Sequence, residues 1–441
     1  MKPSQNQLRE GLQAVCTHAR MQAPGPHPLL EVTAQYAAPA LYAFCRWIVD
    51  TAAARGWKRL YFLSRDGYWM RMLCEEISRT LGLELECSYL YASRMAWRAP
   101  CFQLAGEEGW EQLFQPAPGI SLLGALGRLG LSREEASHWA DLAGIPPKER
   151  ERPLTREEMN GCRLRMQHHR GFAAFAQGRS QEAFRQTEGY FRQEGLLDGR
   201  PVVLVDTGWT GSMQRSLRML LEHMGRSGAL AGLYFGLYRQ PVSPADGEYH
   251  SWYFAPDSPV SRIVKFNNNV LEALCAAPHP MTVGYTCRAG EYVPRFRPGE
   301  EPEASPLFLQ REAILMTFCR EMLAKAPGLD AGHLEKEVRR RLEKLCWKPT
   351  RQEAMAFSGV LFCGDTSESA RKSLVRPLSR EQAAGFLFHC RLQNRGGANP
   401  EPHFWPCGSL AVSRLPQKSR YRRHLYWWET AWNLRNRKGG R

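Results

Sequence analysis

The stretch Val202-Val203-Leu204-Val205-Asp206-Thr207-Gly208-Trp209-Thr210-Gly211-Ser212 carries the densest chemical signal in the chain. Four apolar residues end in an acid, and a turn of Gly, Thr and Ser then opens onto helical spacing from Met213 to Leu221. This pattern predicts a buried strand whose carboxyl end meets a helix N-terminus. Free backbone N–H groups and hydroxyls at such a junction form an anion site, with phosphate as the usual occupant. Asp206, at the strand tip, is a candidate ligand for Mg2+ or for a sugar hydroxyl. The plainer alternative is a strand, turn and helix capped by Ser212, with no ligand. Capping needs one hydroxyl, whereas this turn offers Thr207, Thr210 and Ser212.

A second corner of the same kind lies near the N-terminus. Leu60-Tyr61-Phe62-Leu63 precedes Ser64-Arg65-Asp66-Gly67, and helical spacing follows from Tyr68 to Ile77. Gly67 allows close backbone approach, Arg65 suits a bidentate phosphate contact, and Asp66 is a candidate metal ligand or base. The alternative is an ordinary corner with an exposed Arg–Asp pair. Two such corners on parallel strands point to one site, because ligands of open α/β sheets bind outside the carboxyl ends of the strands.

The elements between the two corners supply the frame. Helical periodicity from Leu29 to about Ala54 nominates Leu41, Phe44, Trp47 and Ile48 for the core. The Leu60 strand, its helix and the apolar segment Ser88–Ala92 form a βαβ unit ending at Ser93-Arg94. Residues 100–195 are expected as a helical insertion, and Leu230–Leu237 as a further strand. Alternating strands and helices predict a mostly parallel, doubly wound α/β sheet. Beyond it, Phe266–Leu274 resembles a capped helix start, with Asn269, Glu272 and His279 as weak candidates for hydroxyl recognition. Residues 286–305 are expected as a Gly/Pro/Glu-rich linker, followed by helix from Leu307 to Leu345 with Arg339, Arg340 and Arg341 on a solvated face. The expected organisation is an N-terminal helical segment (1–40), an α/β domain (41–285) and a helical C-terminal region (286–441).

Composition narrows the function classes. The 441 residues are 43% hydrophobic, so cores of ordinary size are available, and the formal net charge of +15 favours an anionic partner. The sequence offers no apolar run near the roughly 20 residues of a membrane span and no signal-peptide pattern at its start, so a soluble cytoplasmic protein is expected. Thirteen scattered cysteines without a C-x-x-C pair point to reduced thiols rather than disulfides or zinc. From Arg414 to Arg441 nine basic residues face one acid, Glu429, with Tyr421, Tyr426, Trp427, Trp428 and Trp432 interleaved. A basic helix with Trp on one side suits the inner face of an anionic membrane. RNA would suit the pattern through stacking but is the less favoured partner, and a helix docked on the protein body is the plain alternative.

Taken together, Tyr61–Tyr68, Tyr89–Arg94 and Val205–Ser212 resemble the glycan phosphoribosyltransferases of bacterial polysaccharide gene clusters, over about residues 35–285. Members are often labelled haloacid-dehalogenase-like because many are fused to, or encoded beside, such a phosphatase. The resemblance implies a type I phosphoribosyltransferase-like fold and transfer of 5-phosphoribosyl from phosphoribosyl pyrophosphate to a sugar hydroxyl of a glycan or lipid-linked glycan. It also implies Mg2+ as cofactor and a separate phosphatase acting on the product. On this resemblance Asp206, Thr207, Gly208, Trp209, Thr210, Gly211 and Ser212 cradle the ribose 5-phosphate. Ser64, Arg65, Asp66 and Gly67 form the pyrophosphate loop, flanked by Ser93 and Arg94. Thr207 stands where ordinary type I enzymes carry a second acid. Asp66 is the expected catalytic base, with Asp206 as the other candidate, and both are candidate metal ligands.

Two rival readings remain open from sequence. A haloacid dehalogenase phosphatase needs Asp-x-Asp-x-Thr, but Gly208 stands at the acid position and no D-x-D occurs in the chain. Loss of that acid removes a contribution of about 10²–10⁴-fold. A non-catalytic, anion- or membrane-binding protein on a degenerate transferase fold is the other.

Overall fold

The computed structural model describes residues 5–116, 120–239, 246–297, 305–326, 328, 331–362, 372–383 and 404–438. Five strands, β1 (Arg59–Leu63), β2 (Glu86–Leu90), β3 (Val202–Trp209), β4 (Leu230–Leu237) and β5 (Glu248–Phe254), form one all-parallel sheet. Their order is β2-β1-β3-β4-β5, one of the common doubly wound arrangements. The order changes direction between β1 and β3, whose register sets Tyr61 beside Leu204 and Phe62 beside Val205. A crevice outside the carboxyl ends of strands is expected at such a point, and both sequence corners meet there.

Period-two alternation sends opposite side chains to opposite faces. Leu60, Phe62, Val203, Val205, Leu233 and Phe235 join one core, while Tyr61, Leu63, Val202, Leu204 and Leu230 join another. The first face is covered by α1 (Gln5–Met21), α2 (Pro28–Val32), a π-helical turn (Thr33–Ala37), α3 (Ala38–Arg55) and α4 (Gly67–Thr80). Leu41, Phe44 and Ile48 of α3 are fully buried there, and Trp47 is half-buried. The second face is covered by α5 (Arg94–Phe102).

The segment between β2 and β3 continues with α6 (Glu107–Leu113), α7 (Leu122–Gly127), α8 (Arg133–Leu142), α9 (Arg156–His168) and α10 (Arg170–Gln193). This helical insertion has an apolar core of its own, including Leu113, Leu126, Met159 and Phe172. The far end of α10 returns to the sheet, where Tyr190 and Phe191 pack beside Trp97 of α5. Next, α11 (Ser212–His223) links β3 to β4 on that second face. After β5 come α12 (Val260–Val264), α13 (Asn268–Cys275) and an antiparallel hairpin, β6 (Thr282–Arg288) with β7 (Glu291–Phe296). Finally, α14 (Pro306–Lys325), α15 (Ala331–Trp347), α16 (Arg351–Met355), a helix at Pro406–Val412 and the C-terminal helix Lys418–Lys438 follow. Side chains of α1, α14 and α15 share the core of the sheet's first face, so both terminal regions are integral to it.

Two sequence expectations need correction. The expected linker at 286–305 begins as the hairpin, because Tyr285 buries against the second face: it stacks on Tyr190 at 4.2 Å and accepts a 2.9 Å bond from the Trp97 indole. Residues 298–304 of that linker lie outside the described residues. Arg341 is buried, not solvated, and pairs with Glu337 at 3.0 Å while donating to Gln35 and Gln13. Three consecutive helical residues span about 200° of arc, too wide for a single solvated face.

The end of β3 runs close against β4. Gly208 has φ +104°, and a Cβ there would lie 2.5 Å from the carbonyl oxygen of Gly236. Gly56, at φ +68°, has open space around it. Gly56→Ala is therefore expected to cost only the left-handed strain, about 1–2 kcal/mol. Gly208→Ala adds overpacking and should cost about 2 kcal/mol more, as measured by urea denaturation. Equal losses at the two positions would contradict the close β3–β4 approach.

Candidate functional site

The tips of β1 and β3 bring Asp66 and Asp206 into one recess. Asp66 is the N-cap position of α4, reached three residues beyond Leu63. Along β3 the alternation that buries Val203 and Val205 turns Thr207 toward α4, where its hydroxyl donates to Asp66 Oδ2 at 2.5 Å. Asp206 turns to the opposite face, where the backbone N–H groups of Thr207 and Gly208 partly offset the burial of its carboxylate. The strand then ends on Trp209, whose φ of 77° is uncommon for a non-glycine residue. Packing enforces it: the indole lies against Tyr238 at 5.7 Å and Phe266 at 5.5 Å.

That conformation aims the Trp209 indole N–H at Glu272 Oε1, 2.6 Å away. Glu272 lies in the second turn of α13, and Asn268 one turn earlier donates to the same oxygen at 3.4 Å. The helix is fixed at both ends. Asn267 caps it by accepting from Val270 N–H at 3.0 Å, and Arg311 of α14 donates to Leu274 O at 2.6 Å. The recess thus holds three carboxylates: Asp66, Asp206 and Glu272.

Each carboxylate is partly accessible yet walled by protein, and each is held above its ordinary pKa. Burial is the largest cause throughout. Burial and the neighbouring Asp66 push Asp206 up to about 8, with Glu272 adding to it. Burial and Asp66 push Glu272 up to about 7. Asp66 is also raised by burial, against the Thr207 hydrogen bond and the guanidinium groups of Arg65 and Arg94. Arg94 opens α5 and is exposed, so both arginines stand at the rim of the recess. The donor set is hard oxygen, which suits Mg2+, an ion usually held by one or two carboxylates plus substrate phosphates. Among the described residues no three His, Cys, Asp or Glu side chains converge as a ready-made metal site.

Two helix N-termini face this edge without side-chain caps. At α11 the N-cap is Gly211, left-handed at φ 67°, so Ser212 is the first helical residue rather than the cap. A Cβ at Gly211 would meet the Tyr249 ring at 2.4 Å, which explains the glycine. Thr210 and Ser212 are exposed, their hydroxyls 3.4 Å apart. At α4 the N-cap Asp66 makes no capping bond, and Gly67 is required because a Cβ would sit 2.9 Å from Phe62.

Other expected site residues are committed to the scaffold. The Ser64 hydroxyl donates to Ala92 O at 2.7 Å and accepts from Ala92 N–H at 2.9 Å. The Ser93 hydroxyl caps α5 at Ala96 and donates to Thr282 O at 2.6 Å. Asn269 donates to Phe404 O at 2.8 Å, tying α13 to the C-terminal region. His279 is buried, with Nδ1 bonded to Pro280 O at 2.8 Å and Nε2 to the Tyr89 hydroxyl at 2.7 Å. These partners assign the proton to Nδ1, so the ring is neutral, and burial lowers its pKa further. Glu272 emerges with a larger part than hydroxyl recognition; the only sequence hint was its place one turn after an Asn-rich cap.

An open depression of about 730 Å³ belongs to the insertion and is lined by Glu108, Gln112, Asn160 and Arg163, with Arg163 already paired to Glu107. Sequence comparisons with protein-family models and with curated proteins return no match.

The raised carboxylates make stability depend on pH. A folded pKa above the unfolded value contributes stability that is complete below the unfolded pKa and disappears as pH rises through the folded one. For Asp206 the window runs from the ordinary 3.8 up to about 8. Asp206→Asn is therefore expected to stabilise the ligand-free protein by about 1–3 kcal/mol at pH 8.5 and by little at pH 4.5. Denaturant titrations of both proteins at the two pH values test this; a pH-independent difference would contradict the carboxylate crowding.

Proposed function

We propose that this recess binds phosphoribosyl pyrophosphate with Mg2+ and transfers its 5-phosphoribosyl group to a sugar hydroxyl of a glycan. The observation carrying the reading is the pairing of two uncapped helix N-termini, those of α4 and α11, around one carboxylate cluster at the β1–β3 junction. Helix N-termini favour anions, whereas three crowded carboxylates favour a divalent cation. A substrate with phosphates at both ends of a Mg2+-binding pentose satisfies both demands. Ordinary single-phosphate ligands leave one N-terminus unused.

The roles follow from position. Thr210, Gly211 and Ser212, at the start of α11, offer N–H groups and hydroxyls to the 5-phosphate. Arg65, Gly67 and Arg94 meet the pyrophosphate at the opposite side. Asp66 and Asp206 would hold Mg2+ and the ribose hydroxyls, and the bound ion would neutralise the departing pyrophosphate. When the C1–oxygen bond to pyrophosphate breaks, the acceptor oxygen forms the new bond to C1 from the opposite face. The proton of that hydroxyl passes to Glu272, whose pKa of about 7 matches a base working near neutrality. The product is a β-linked 5-phosphoribosyl glycan, a substrate for a separate phosphatase. Phosphatase activity of the chain itself is disfavoured because Asp206 is held largely protonated near neutrality.

A calorimetric titration with phosphoribosyl pyrophosphate in the presence and absence of Mg2+ is the direct test. Micromolar binding that needs Mg2+ and is weakened at least tenfold by Asp206→Asn is expected, together with tighter binding as pH rises from 6 to 8. Glu272→Gln should retain binding while turnover falls by about 10²–10⁴-fold. Absence of binding, or equal binding by nucleotide sugars, would overturn the reading. Phosphate release from p-nitrophenyl phosphate that Asp206→Asn abolishes would replace it with the phosphatase.

A further inference from the structure

The C-terminal helix Lys418–Lys438 has two unlike sides. Its inner side is docked: Leu425 is buried, Tyr426 meets Trp347 of α15 edge-on at 6.0 Å, and the helix packs on α12. Glu429, the single acid between positions 414 and 441, is on this inner side, where burial raises its pKa. The outer side is exposed and mixed in a particular way. Trp427 is 66% exposed, Trp432 49% and Leu434 47%, and Arg420, Arg423, His424 and Arg435 are exposed with them.

Helical geometry puts most of these residues on one surface. At about 100° per residue, Trp427, Leu434, Arg420 and Arg423 fall within about 40° of one direction and Arg435 lies about 90° round from it, whereas Trp432 lies about 150° away, near the azimuth of the buried Leu425. A helix held only by packing on the protein would turn its Trp residues inward, because burying one removes roughly 150–250 Å² of ring surface from water. Here the Trp427 ring faces solvent with Arg420 and Arg423 on the same side of the helix. An indole ring, a leucine and guanidinium groups on one helical face match the boundary between acyl chains and anionic headgroups.

We infer that the outer face of the Lys418–Lys438 helix lies in the plane of an anionic phospholipid surface. Trp427 and Leu434 sit in the acyl–headgroup boundary, and Arg420, Arg423 and Arg435 lie among the lipid phosphates.

The test is co-sedimentation of the full chain with vesicles of neutral phosphatidylcholine, or with about a third phosphatidylglycerol added. Binding at least tenfold stronger to the anionic vesicles, falling with added salt, is expected. Trp427→Ser with Leu434→Ser, and separately Arg420→Glu with Arg423→Glu, should each lower it tenfold or more. Because these residues are exposed, the variants should keep the wild-type Tm and wild-type phosphoribosyl pyrophosphate affinity. Three outcomes would overturn the inference: no lipid preference, variants that bind like wild type, or a face that instead mediates self-association in sedimentation velocity. Salt-sensitive capture by single-stranded RNA without vesicle binding would do the same. Vesicle binding is scored without substrate, so its failure leaves the transferase titration standing, and failure of that titration leaves the lipid result standing.

Discussion

Carboxylates crowded out of bulk water cannot all carry charge at neutral pH, and the recess between β1 and β3 is organised around that constraint. Asp66, Asp206 and Glu272 come from three elements that meet only in the tertiary fold: the start of α4, the tip of β3 and the second turn of α13. The Thr207 hydroxyl donates to Asp66 and the Trp209 indole to Glu272. A hydrogen bond to a charged group is worth about 1.5–3 kcal/mol, which only partly offsets the cost of burying each carboxylate.

The same constraint accounts for features of the scaffold that would otherwise be costly. Trp209 is held at positive φ by aromatic neighbours, and the strain is tolerated because the indole N–H then reaches Glu272. Gly67, Gly208 and Gly211 lack side chains where any Cβ would strike Phe62, Gly236 or Tyr249. The Ser64 and Ser93 hydroxyls, placed by local pattern among phosphate ligands, instead lock the loop after β1 to the end of β2 and α5 to the hairpin. Loops near a binding recess need such internal ties, since an untied loop would lose conformational entropy when the ligand binds.

Much of the fold was readable locally. Period-two alternation and apolar runs marked β1, β3 and β4, helical spacing marked α3, α4 and α11, and the corners at Asp66 and Asp206 were recognisable from residue type alone. A mostly parallel sheet with covered faces follows from that alternation, but β5 (Glu248–Phe254), a mixed polar and aromatic strand at the sheet edge, was not marked. The hairpin of β6 and β7 was not readable, because its Gly, Pro and Glu content mimics a linker and its burial depends on Tyr190 and on Trp97, the latter 188 residues away in sequence. Glu272 was visible as a polar residue on a capped helix, but its standing as third carboxylate depends on the backbone turn at Trp209. Hydroxyl use was likewise invisible: nothing in Ser64 or Ser93 announces that its bonding capacity is spent on Ala92 or Thr282.

Helix α5, like α10, has residues in two cores. Trp97 and Cys101 are set among the side chains of the sheet's second face, while Ala99 and Phe102 belong with the separate apolar cluster of the insertion. Its first residue, Arg94, stands at the rim beside Asp66. The insertion is thus anchored to the sheet at both of its ends, and the N-terminal anchor ends on the guanidinium group that faces the strand tips.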